Sequence, residues 1–134
     1  MKALTVLAPW AYAIAHLGKP VENRGWRPPR WLIGQRFAVH AGATWKDDDA
    51  WDVIDTAPDD VQIPDDFAHQ PRTRGAVVCT AILARVRHID DISEAERTPW
   101  HKGPWCWEMA DVQEVTPPAP AKGRLGLWDW EGGL

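Results

Sequence analysis

The stretch from Gly75 to Ile89 limits the fold more than any other part of the chain. It places Val77, Cys79, Ala81, Leu83 and Val86 along a run with no internal glycine or proline. Apolar residues near a period of two describe a strand with a buried face, and this run predicts a long, bent one. A strand leaves its backbone donors and acceptors unpaired unless neighbours flank it. The rest of the chain must therefore supply further strands.

Candidates for these strands lie on both sides of it. Ala3 to Leu7 reads as a short first strand, and Val21 to Arg24 as a short extended segment. Phe37, Val39 and Ala41 alternate with Ala38 and His40. Trp105 to Val115 and Leu125 to Trp130 read as the last two strands, the latter closing the sheet. Between the first two, Trp10, Ile14 and Leu17 recur at helical spacing, with Pro9 suited to the first turn and Gly18 to the C-cap. A second helix is predicted over Trp45 to Thr56. Ala57 to Arg74, with Pro58, Pro64 and Pro71, reads as a long loop. Asp90 to Lys102 is a polar connection with a helical turn at Ser93 to Arg97. Pro117-Pro118-Ala119-Pro120 reads as a stiff connector. The expected class is α+β: a mixed, partly open β-barrel with one helix near the N-terminus and additional short helices. At 134 residues the default is a single domain spanning 1–134.

Composition narrows the function classes. Net charge is −4, so charge alone does not fasten the chain along extended nucleic acid; a local basic patch would be needed. Lys19, Arg24, Arg27, Arg30 and Arg36 provide one, with Glu22 as the only acid among them and with Trp26 and Trp31 interleaved. Guanidinium groups bind phosphate and indole faces stack on bases. An Asp-rich stretch follows, from Asp47 to Asp66, and ordinarily forms a solvated face. Of the ten tryptophans, most are expected in the core or at a barrel rim and one or two exposed for binding. Cys79 and Cys106 form no C-x-x-C pair and read as free, buried thiols. His16, His40, His69, His88 and His101 show no metal-ligand spacing, and no glycine-rich phosphate loop is present, so no metal and no cofactor are expected. Pro9 and Trp10 interrupt the apolar run that follows Met1-Lys2, against a leader peptide. No run reaches the roughly 18 apolar residues of a membrane span. A cytoplasmic protein with no membrane partner is the expectation.

Ala8-Pro9-Trp10-Ala11, then Ile14, then Gly18-Lys19, Glu22, Arg24 and Trp26 form an ordered pattern that resembles the opening of ASCH domains, in the PUA-like group. Ala38-Val39-His40-Ala41 resembles that family's strand ending in histidine, and Gly75-Ala76-Val77-Val78 its long strand. Gly103 to Glu108, leading into Lys122 to Trp128, resembles its closing segment. The resemblance implies a PUA-like barrel whose cleft beside the first helix is lined by Lys19, Glu22 and Arg24. It implies RNA, a nucleotide or a modified nucleoside as partner. Ligand contacts are expected from Lys19, Glu22, Arg24, Trp26, Arg27 and His40. Two alternatives share or leave that cleft. One is a hydrolase, either an amidohydrolase on N4-acetylcytidine or a ribonuclease, with Lys19 and Glu22 as catalytic candidates. The amidohydrolase members carry Thr where this chain has Glu22, and take an acid from the segment after the long strand, where Glu94 and Glu96 lie here. The other is a protein-interaction domain using the acidic stretch.

The residues also carry a chemical argument of their own. In an extended segment Glu22 and Arg24 share a face, and Lys19 approaches from the helix end. Burial and Arg24 would lower the Lys19 pKa while Glu22 would raise it, and an amine tuned downward can serve as nucleophile or general base.

Overall fold

The structure is a computed structural model and describes residues 1–132. In chain order it contains β1 (Lys2–Val6), α1 (Ala8–His16), β2 (Val21–Arg24), a 3-10 turn (Arg30–Leu32), β3 (Arg36–Ala41), α2 (Asp47–Thr56), β4 (Ala76–His88), a second 3-10 turn (Ile89–Asp91), β5 (Trp105–Pro120) and β6 (Leu127–Asp129). The six strands form one sheet in the order β2-β5-β4-β3-β1-β6. β1 and β3 are parallel; every other neighbouring pair is antiparallel.

β4 is the long strand predicted from its alternation, and it is paired on both sides, by β3 and β5. The spacing change from Leu83 to Val86 coincides with a register shift against β5 between Leu83 and Arg85. An extra residue at that point re-aims the strand, which is what a β-bulge does. β3 is buried on both faces. Phe37, Val39 and Ala41 join the main core with Leu4, Ile14, Leu83 and Trp107, whereas Ala38 joins a smaller cluster with Ala3, Val77, Trp128 and Trp130. Cys79 and Cys106 are both buried and free.

Two expectations need correction. Pro117, Pro118, Ala119 and Pro120 belong to β5 and are not a connector. Val77 pairs with Ala119 while Cys79 pairs with Glu114, so β5 carries a bulge over the residues between. Pro117 and Pro118 sit inside that bulge, where the ladder asks for no amide donor; proline is tolerated in sheets at bulges and edges. Second, Leu127–Asp129 pairs with Lys2 to Leu4 as an edge strand and does not close the sheet. β2, of four residues, is the other edge and pairs only with β5. The sheet is therefore not a closed barrel. Across the opening, Arg24 on the edge strand β2 donates from Nη2 to the carbonyl of Thr5, on β1, at 2.6 Å.

α1 packs on β3, β4, β5 and α2. Its end fixes the position of Lys19. Leu17 N and Lys19 N both donate to Ala13 O, at 3.0 and 3.2 Å. Gly18 turns between them with φ +72°, and nothing lies within 4 Å of where its Cβ would stand. The backbone angle alone therefore selects glycine there.

Candidate functional site

Lys19, Glu22 and Arg24 meet where α1 hands over to β2. Pro20 O accepts from Met109 N at 2.8 Å, which brings the segment down onto β5. Lys19 Nζ donates to Glu22 Oε1 at 3.2 Å, and Arg24 Nε lies 3.0 Å from Glu22 Oε2. That second contact is an ion pair without hydrogen-bond alignment, because the buried Nε–H finds no acceptor in line. The ammonium also stands 5.0 Å from the centroid of the Trp10 indole, a cation–π distance. Lys19 is only 2% exposed and Glu22 7%. Burial lowers the Lys19 pKa from its ordinary value, against the opposing pull of Glu22, with Arg24 adding to the lowering.

The cluster forms one wall of a cleft of about 350 Å³, shared with Val6, Leu7, Trp10, Asn23 and the Lys102-Gly103 pair. Asn23 secures the opposite wall. Its Oδ1 accepts from Lys102 N at 3.0 Å and Gly103 N at 2.8 Å, and its Nδ2 donates to Trp100 O at 3.0 Å. Glu22 is the sole carboxylate on a lining that holds Lys19, Arg24 and Lys102, so the cleft favours an anion.

The other candidates lie elsewhere. Trp26 and Arg27 line a separate concavity of about 680 Å³ with Trp105. His40 is 1% exposed and fully engaged: Nδ1 meets Thr5 Oγ1 at 3.2 Å and Nε2 meets Ala121 O at 2.6 Å. Trp128 Nε1 donates to the same Thr5 hydroxyl at 3.1 Å. Ala121 O can only accept, so Nε2–H donates to it, and in the neutral ring Nδ1 accepts from the Thr5 hydroxyl. This chain of bonds ties the C-terminal segment to β1 and β3. Trp26, Trp31 and Trp51 are the exposed tryptophans.

The fold matches a crystal structure of ASCH from Zymomonas mobilis, with a TM-score of 0.54 over 98% of this chain and 88% of that one. This chain has an ASCH-like fold. Sequence identity is 14%, so the likeness is one of fold. No protein-family model and no curated protein matches the sequence.

Set on the ASCH-like fold, the acids after the long strand take up other work. Glu96 Oε2 accepts from Arg87 Nη1 at 2.9 Å and is exposed, outside the Lys19 cleft. Glu94 is also exposed and does not line it. In the acidic stretch, Asp47, Asp48 and Asp49 occupy the first turn of α2, where a helix dipole favours negative charge. Asp66 pairs with Arg72 at 2.6 Å. Among the described residues no group of three or more His, Cys, Asp or Glu could hold a metal ion, and no helix is long and apolar enough to cross a membrane.

Sequence reasoning missed two contributors. Trp10 matches the helical apolar pattern, which gives no sign that its ring faces a lysine across the cleft. Asn23 sits inside Lys-x-x-Glu-x-Arg at an unassigned position. A short polar side chain within an edge strand was the available signal, since such residues bind neighbouring backbone.

Proposed function

We propose that the chain is a small RNA-related module that receives a nucleotide, or one nucleotide of a short single strand, in the Lys19–Glu22–Arg24 cleft. One observation carries the reading. Among the described residues Lys19 Nζ, buried in the cleft wall, hydrogen-bonds only Glu22, so two of its three donors remain for a ligand acceptor. Arg24 and Lys102 add positive charge beside it, and Trp10 supplies an aromatic wall. A volume of about 350 Å³ lies within the usual range for small-ligand sites. An anion with a flat ring is the ligand class such a lining fits.

A second reading, hydrolysis in the same cleft, is favoured by one feature. Burial lowers the Lys19 pKa, which raises the fraction of neutral, nucleophilic amine. Two variants separate the readings. Lys19→Met retains most of the stem and removes the charge; Lys19→Arg retains the charge and stays protonated. For a binder, Lys19→Arg retains much of the affinity for ribonucleoside monophosphates and Lys19→Met loses it. For an enzyme, both variants lower turnover by about 10²-fold or more. The assay incubates the protein with N4-acetylcytidine and with a short single-stranded RNA and follows both by chromatography. Mononucleotide affinity that is indifferent to Lys19→Met would remove the cleft from the binding reading. Failure to consume either substrate at high protein concentration would remove those two hydrolytic activities.

A further inference from the structure

The larger concavity around Trp26 holds no part of the Lys19 cluster, yet its lining has a definite chemistry. Arg27 and Arg30 line it and no carboxylate does, in a protein whose net charge is −4. The Arg27 guanidinium lies 4.9 Å from the centroid of the Trp105 indole, a cation–π distance, and the residue is exposed. Trp26 stands nearly perpendicular to Trp107, at 5.0 Å and 88°, and remains 38% exposed.

The segment bearing these groups is held in place. Trp107 Nε1 donates to Trp26 O at 3.1 Å. Pro28 and Pro29 restrict the backbone that follows. Leu32, 1% exposed, anchors the 3-10 turn in the core, and Gly34 N donates to Leu83 O at 2.7 Å. An exposed indole and two arginines on a held loop form a prepared surface, because little loop freedom is left to lose on binding. A guanidinium recognises phosphate and an exposed indole stacks on a base. Only Gly25 separates Arg24, at the first cleft, from Trp26, at the second, and two residues of chain span at most about 7 Å.

Building on the mononucleotide reading above, we propose that this concavity is a second subsite for the adjoining nucleotide, so that the ligand is a single-stranded oligoribonucleotide and not a free nucleoside. The Lys19 cleft takes one nucleotide; Arg27 and Arg30 meet the phosphate of the next, and Trp26 stacks on its base.

The test compares a tetraribonucleotide of mixed sequence with the ribonucleoside monophosphates, by titration calorimetry over a salt series. Wild-type protein is expected to bind the tetranucleotide at least about tenfold more tightly than any mononucleotide. Arg27→Gln/Arg30→Gln should abolish that ratio and reduce the magnitude of the tetranucleotide's salt slope by about 0.7, the value for one neutralised phosphate on a single strand. Trp26→Ala should weaken the tetranucleotide by roughly 5- to 150-fold, with its melting temperature little changed because the side chain is exposed. Lys19→Met should weaken both ligands and preserve their ratio. A tetranucleotide no tighter than a mononucleotide, or a ratio indifferent to Arg27, Arg30 and Trp26, overturns the second subsite and leaves the first standing. Absence of binding by either ligand overturns both. Hexaglutamate binding as tightly as the tetranucleotide, through the same arginines, would make the surface a peptide site and also overturn the proposal.

Discussion

The ladder between β2 and β5 carries two carboxylates on neighbouring rungs, and they live differently. Glu22 pairs with Trp107, and Glu108 with Val21, so by strand alternation the acids project to opposite sides. Glu108 is surrounded by donors. Arg85 Nε and Arg87 Nε reach its Oε2 at 2.7 and 2.9 Å; Arg87 Nη2 and His101 Nε2 reach Oε1 at 2.8 and 3.3 Å. Burial alone would raise its pKa, but these hydrogen bonds outweigh it and hold the carboxyl down to about 2. At Glu22 the deeply buried partner is the cation. Lys19 gives up solvent for a single hydrogen bond, and Arg24 has a buried Nε–H without an acceptor. One cluster satisfies its charges and acts as a clamp between β4, β5 and the loop carrying His101. The other retains donor capacity at the wall of a cleft, and under-satisfied buried polar groups of that kind are a mark of working sites.

The sharpest way to break this contrast is Glu22→Ala. It leaves a buried ammonium and a guanidinium facing each other, and removal of one partner from a buried ion pair costs about 3–5 kcal/mol. Urea denaturation should show that loss, and Lys19→Met added to Glu22→Ala should recover a substantial part of it. A loss under about 1 kcal/mol would mean that the two clusters do not differ as described.

Glu108→Gln should have a smaller effect, about 1–3 kcal/mol at neutral pH, and a distinct signature in acid. The folded carboxyl gains its proton near 2, the unfolded one near its ordinary 4.5. The stabilisation is therefore complete above about 4.5 and is lost as pH falls through about 2. Wild-type stability should decline across that window, and Glu108→Gln should flatten this part of the decline. Parallel acid limbs for the two proteins would refute the clamp.

The smallest expected effect is alkaline. The folded Lys19 pKa lies below the ordinary 10.5, so between the two values the unfolded chain holds more protons. Stability from this group should rise as pH climbs toward 10.5. The unfolding free energy of wild type minus that of Lys19→Met, followed by denaturant midpoint, should rise over that interval. A fall would mean that Glu22 prevails over burial.

What could be read from sequence follows from how local each signal is. The strand at Ala76–His88, the helix starting beside Pro9 and the turn at Gly18 rest on alternation, ring geometry and backbone freedom, all of them local. Lys19, Glu22 and Arg24 came together because a short extended segment keeps them close. Trp26 and Arg27, only a few residues on, were expected in the same cleft and stand in another. The turn after Gly25 depends on Trp107, far along the chain, and proximity in sequence carries no information about it. The expected barrel was partly open, and that its sheet would not close at all was missed for a similar reason. An apolar closing run can pair on either side, and no local pattern tells whether the strand beyond it will meet β2.

The prolines of β5 have a consequence beyond their own strand. Past Glu108, β5 has β4 on one side and, among the described residues, no strand on the other, so a run of backbone lies open along much of its length. Open edges invite a second copy to add its own strand, the first step toward fibrils. Here the bulge bends that margin out of line, and Pro117, Pro118 and Pro120 withhold amide donors from any arriving chain. The molecule can thus leave its longest strand half uncovered in a crowded solution without becoming a template for its own aggregation.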